Sequence, residues 1–387
     1  MVMKYIISIL IFSLLACDTL DEGINQDIPA LSNHSYQKIK THELGLNYYF
    51  EGYLQTEIDG EEYLIGIDSR NSKLDFINRR NDDKNFQLFL FNEGPDVISN
   101  DILSLTIRNS SLFVLTTNTF YIAELSIEDQ NFTVKNKIEL LKTQSRFTVA
   151  NMTIALSPKL PFFSLDENNV YVPFFLSSYI GDKQFFEEPN FKVIDLTNYT
   201  QNDYFIEWPL PLLYINSEFL HPLNQRFYPL KVNDEIFISY PFSSQVQKVV
   251  LEENSTRVEQ GFGIQHETLD DEIITTPIRK GEKLGKHHIS GYSHTASFLP
   301  LRYNHIKDRL FRIFFYGQEE EFVGKQPWVR EREKILFEYS LDGKILSKTT
   351  IPENLDMDPL LMEDGSYWFP VWKDVLDEDY MEFAVYR

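Results

Sequence analysis

Four of the chain's eight histidines, His266, His287, His288 and His294, fall within residues 263–295. The run HHISGYSH places three imidazoles within eight residues, a set of nitrogen donors suited to zinc or copper. No second ligand class and no orienting carboxylate accompanies them, so no metal site and no cofactor are assigned. The same segment carries Arg279, Lys280, Lys283 and Lys286 against Glu282, in a chain whose formal net charge is −22. Such a basic island would attract an acidic glycan, a carboxylate-bearing peptide or lipid headgroups, whereas the chain as a whole repels phosphate backbones and argues against nucleic acid. Trp328, flanked by Pro327 and Arg330, and Trp372 offer flat apolar platforms on which sugar rings could stack, as does Tyr179 beside Phe185 and Phe186. The candidate ligand-binding residues are therefore Tyr179, His287, His288, His294, Trp328, Arg330 and Trp372. Each has a plainer reading as a solvated histidine or a packed loop anchor.

Known catalytic patterns break off early. HETLD at His266 and HELGL at His42 begin like a zinc-protease helix but lack the second histidine. GYSHT lacks the last glycine of a nucleophile elbow, and no phosphate loop, dinucleotide fingerprint or calcium loop is present. Glu187 with Glu188 and Asp270 with Asp271 could share a proton and serve acid–base chemistry, yet adjacent acids in an acidic chain are ordinarily solvated. No catalytic pair is assigned. The expected function is binding, with an envelope hydrolase or lyase using these histidines and carboxylates as the alternative.

The elements that must position these residues read as strands throughout. Apolar residues make up 43% and aromatics 14% of the 387 residues, ample for a core, and glycine supplies only 16. Turns fall instead to Asn and Asp, as in RNDDKN, DENN and SLDG. Period-two runs recur and no window carries a helical stripe, so the fold class is all-β. A module of four strands joined by short turns repeats, for example ILSLTIR, SLFVLTT, FYIAELS and FTVKNKIEL, or FYPLKV, EIFISYP, QVQKVVL and TRVEQGF. Such repetition predicts a six-bladed β-propeller, or a seven-bladed one if residues 263–295 form a further blade. The last module, DPLLMED, SYWFPVW and MEFAVYR, lacks a fourth strand, which YQKIKTHEL near the N-terminus can supply, closing the ring. Long insertions fall at residues 177–190, 211–225, 263–295, 317–332 and 373–378. In this arrangement all five belong to one rim, the expected functional face.

The segments NEGP, RYNHIKDRLFRIFF, EYSLDGKIL and PLLMEDGSYWF make the chain resemble the uncharacterised β-propeller-type lipoproteins of Bacteroidota, a family with no agreed activity. Leu14, Leu15, Ala16 and Cys17 resemble a lipobox: Lys4 precedes an apolar run at residues 5–15, too short to span a bilayer and ended by a small residue. Cys17 is the sole cysteine, so no internal disulfide can form and lipidation is its expected role. The resemblance implies a signal peptide at 1–16, a flexible acidic tether at 17–34 and one propeller domain at 35–387. It also implies a cell-envelope, outer-membrane lipoprotein held by its N-terminal lipid, with a glycan, peptide or envelope protein as partner.

Overall fold

A computed structural model describes residues 35–40, 52–68, 72–90, 97–98, 102–116, 118–140, 147–148, 163–173, 175–176, 191–206, 219–220, 227–241, 243–263, 278–279, 296–316, 333–356, 358–371 and 380–387. Among these the regular structure is β, with one 3-10 turn at Asp82–Lys84, and no helix long and apolar enough to cross a membrane.

Five large sheets follow one another along the chain. The first is a meander of Gly52–Ile58, Glu61–Asp68, Lys73–Asn78 and Phe86–Phe89, and the second one of Ile102–Arg108, Ser111–Thr116, Thr119–Ser126 and Asn131–Glu139. The third has eight strands. Ser164–Leu165, Asn169–Pro173, Phe191–Asp195 and Gln201–Ile206 form one half, and Tyr228–Val232, Glu235–Ser239, Gln245–Leu251 and Ser255–Gly263 the other. In the fourth, Ser297–Phe298 and Arg302–Asn304 both pair with Arg309–Phe315, followed by Lys334–Tyr339 and Ile345–Ile351. The last sheet combines Leu360–Leu361, Tyr367–Pro370 and Tyr380–Tyr386 with Ser35–Lys40 from the other end of the chain, in register from Ser35 opposite Val385 to Lys40 opposite Tyr380.

Tight hairpins set these registers. Asp59 and Gly60 both take positive φ, as do Asn109 and Ser110, giving the backbone twist that matches the flanking strands in a two-residue loop. Asn233 and Asp308 do the same single-residue work in later hairpins. Asx chemistry therefore replaces glycine at most of these corners, as the composition predicts.

One pairing departs from simple meanders. Phe205 and Ile206 run parallel to Ser255 and Thr256, and the Thr256 hydroxyl donates to the Phe205 carbonyl, so the two halves of the third sheet are joined through their outer strands. Period-two patterning fixes which face of a strand is buried but not which neighbour its edge finds, and the sequence carries no sign of this contact.

The sheets pack face to face in a propeller-like arrangement. Apolar side chains of the second, third, fourth and last sheets merge into one core, and the first and second sheets share another. At the joint of the third and fourth sheets, Arg312 is buried with its cation 4.1 Å from the Phe298 ring centroid. Its guanidinium donates to the carbonyls of Leu299 and Ser243, both at 2.9 Å, and to that of Tyr240. Multiple backbone acceptors offset the desolvation of the charge.

Candidate functional site

Cross-strand pairing places the insertions. Residues 317–332 leave and re-enter the fourth sheet at the paired ends Phe315 and Lys334, beside Ser297 and Ile351. Residues 177–190 sit between Pro173, opposite Phe191, and Phe191 itself, near the end at which Gln201–Ile206 stops. In the second half of the third sheet, Tyr228 pairs with Ser239 and Gln245 with Gly263, so residues 211–225 enter, and 264–277 leave, at a shared end. Within each sheet or half-sheet, every long insertion thus leaves by the end shared by its second-to-third connection and its incoming and outgoing chain.

Buried charge lies close under those ends. At the fourth sheet, the fully buried Lys334 donates from Nζ to the carbonyls of Leu355 at 2.6 Å and Glu353 at 3.1 Å. Burial pulls its ammonium down to about 8, against the opposing pull of the Asp356 and Glu353 carboxylates. Asp356 and Asp358 are themselves buried, and Asp358 accepts from Arg302 at 2.6 Å. Two and four residues further along the same strand, Leu336 and Glu338 share the face of Lys334. The Glu338 carboxylate accepts from the Tyr367 hydroxyl at 2.9 Å and the Ser347 hydroxyl at 2.7 Å, with Arg309 at 3.4 Å. Burial, and then Glu338, push the Tyr367 phenol well above the usual range.

A second charged group occupies the first sheet. Asp68, Lys73 and Asp75 project to one face and are all buried, with Lys73 Nζ 3.2 Å from Asp75 Oδ2. Burial pushes the Asp75 carboxyl up to about 6, a rise that Lys73 and Gln87 only partly oppose. These groups hold charge away from water. Among the described residues no cluster of histidine, cysteine or carboxylate side chains could hold a metal ion.

Cys17 and all seven ligand-binding candidates, Tyr179, His287, His288, His294, Trp328, Arg330 and Trp372, lie outside the described residues. Sequence reasoning missed Lys73, Asp75, Lys334, Glu338 and Arg312. A signal for them exists: in KLDFIN, KILFEY and RLFRIFF a charge interrupts runs whose remaining residues are almost all apolar, so the strand buries it.

No protein-family model and no curated protein matches the chain. Solved structures do. A member of the DUF4221 family from Bacteroides vulgatus superposes with a TM-score of 0.64 at 10% identity, covering 91% of this chain and 96% of that one. An exported protein of Bacteroides fragilis gives a TM-score of 0.47 at 12% identity over 94% and 98% of the two chains. The extracellular domain of a hybrid two-component system from Bacteroides thetaiotaomicron gives 0.42 at 10% identity over 89% and 34%. The first likeness establishes a shared fold, propeller-like and all-β, over nearly the full length of both chains.

Proposed function

We infer that the chain is a lipid-anchored cell-envelope protein, a six-bladed propeller that uses its insertion-bearing rim to bind a glycan, peptide or partner protein. Six blades result when the third sheet is divided at its two-residue parallel contact, giving four strands or more to each unit. A seventh would have to come from residues 263–295, where the described strand Ile278–Arg279 pairs instead with Phe219–Leu220. Support for a binding rim comes from one observation: the long insertions leave their sheets by equivalent ends, while the opposite ends are closed by short Asx hairpins. Rigid strands with loops gathered at one end suit recognition better than loops scattered over both. The local basic excess at Arg279, Lys280, Lys283 and Lys286 favours an acidic ligand.

The test is a thermal-shift series on the chain from residue 18 onward with polygalacturonate, an acidic peptide and neutral dextran. A ligand at 100 times its Kd stabilises by about 2.7 kcal/mol, a readily measured rise in Tm. The expected result is stabilisation by an acidic probe that is lost in Trp328→Ala or in Lys283→Glu with Lys286→Glu. No shift with any probe, together with empty pull-downs from envelope extracts, would remove the binding reading. Anchoring is tested separately, by mass spectrometry for acyl chains on a peptide beginning at Cys17.

A further inference from the structure

The first sheet has two unlike faces. Tyr63, Ile65, Ile67, Leu74, Phe76, Phe86 and Leu88 point to the second sheet, and eighteen buried apolar side chains fill that seam. The opposite face carries Gln55, Glu57, Glu62, Leu64, Gly66, Asp68, Lys73, Asp75, Ile77, Gln87 and the half-exposed Phe89. Polar side chains outnumber apolar ones on that face, the pattern of a sheet with one solvated side.

Yet the last sheet covers that polar face. Among the described residues only Leu64 and Ile77 from the first sheet join Leu360, Met362, Trp368, Phe383 and Val385 in the apolar part of the seam. At one end of it lies buried Asp75. Its own sheet faces it with Asp68, Lys73 and Gln87, and the cluster that the last sheet brings to the seam, Leu360, Met362, Trp368, Phe383 and Val385 with the partly buried Ile39 and Met381, carries no charge. At the other end Glu363 of the last sheet meets Glu62 and Glu57 of the first. Burial, and then those two carboxylates, push its pKa up, with Arg79 opposing. Arg79 spans the seam, bonded to Glu62 at 3.0 Å with its cation 5.0 Å from the Trp368 ring centroid. The Gln55 amide, on the inner strand, has both polar atoms buried without a hydrogen-bond partner.

We propose that the ring opens at the seam between the first and last sheets, the last sheet and its N-terminal strand parting from the first while the seam between first and second sheets stays shut. Opening would hydrate Gln55 and Asp75, would part Glu363 from Glu57 and Glu62, and would expose fewer apolar side chains than parting the seam between the first and second sheets, so its free-energy cost is lower. It would also be proton-linked. Asp75 and Glu363 both bind protons more tightly when the seam is closed, so acidification below about 6 holds it shut and neutral or alkaline conditions loosen it.

Ile65 and Ile77 make a matched pair for the test, since they are buried, on neighbouring strands and on opposite faces. In a Cys17→Ser background, Ile65→Cys and Ile77→Cys are labelled with an aromatic disulfide reagent in increasing urea. The expected result is that Ile77→Cys labels at least about tenfold faster, with little urea dependence, while Ile65→Cys follows global unfolding. The Ile77→Cys rate, divided by that of an unstructured cysteine peptide at the same pH to cancel thiol ionisation, should fall between pH 8 and pH 5, and Asp75→Asn should reduce it at pH 8. Leu64→Cys replaces Ile77→Cys if that variant does not fold. Equal rates with the same urea dependence at both sites would overturn the proposal.

Discussion

The two faces of the first sheet bury side chains to a similar depth by different physics. Toward the second sheet, Phe76 and Phe86 stack with ring centroids 4.4 Å apart, and Tyr63 meets both edge-on. Toward the last sheet, burial falls on Asp68, Lys73 and Asp75, where solvation lost by each charge offsets much of the Coulombic gain. Depth of burial alone therefore says little about how firmly two sheets are held together. What matters is whether the groups buried prefer to leave water. The other flank of the last sheet repeats the lesson in reverse: Lys334 and Glu338 are buried too, but carbonyls and hydroxyls occupy their hydrogen-bonding positions.

The contrast is sharpest for Phe76→Ala. Deleting a fully buried aromatic that stacks on Phe86 should cost about 4 kcal/mol in urea denaturation, and a loss below about 1 kcal/mol would break the assignment of the apolar seam as the strong one. The charged seams should answer to pH in opposite senses. Lys334 has its pKa lowered from 10.5 to about 8, so it costs stability at neutral pH, and that cost of up to about 3 kcal/mol is relieved as pH rises from 8 to 10.5. Comparing Lys334→Met with the parent from pH 7 to 10.5 should show their difference in unfolding free energy drifting by that amount, in favour of the parent.

For Asp75 the folded value near 6 lies above its ordinary 3.8, so its contribution is complete below pH 4 and is lost as pH rises through 6. Asp75→Asn should therefore gain up to about 3 kcal/mol on the parent between pH 4 and pH 7. A difference that stays flat over that range would show that the Lys73 partnership, and not desolvation, dominates there. The smallest effect belongs to Arg79→Ala, which removes an ion pair and a cation–π contact. It should cost about 1 kcal/mol, and less at high salt.

Much of the architecture was legible in the residues. Runs such as SLFVLT and EIFIS, bounded by Asn, Asp and Ser, mark strands and turns because side-chain period and turn chemistry are local properties. Even the use of an N-terminal strand to complete the last sheet follows from a missing fourth strand and a period-two segment able to fill it. The site was less legible. The candidates chosen for chemistry were loop histidines and tryptophans outside the described residues, whereas the perturbed groups, Asp75, Lys334 and Tyr367, sit inside strands, where the charge within an apolar run marks burial but not the partners that perturb it.

By itself the sequence determined what depends on neighbours a few residues away: the all-β class, the hairpin corners at Asp59, Asn109 and Asn233, and the amphipathic pattern of the first sheet. Only the tertiary structure decided which sheet would cover that sheet's polar side, that the third sheet's halves would meet through Phe205 and Ser255, and that Arg312 would lie among backbone carbonyls of a neighbouring turn. The physical reason is that a strand's periodicity specifies what each face can tolerate. The partner brought to that face, and so the dielectric around each charge, is set by closure of the whole chain.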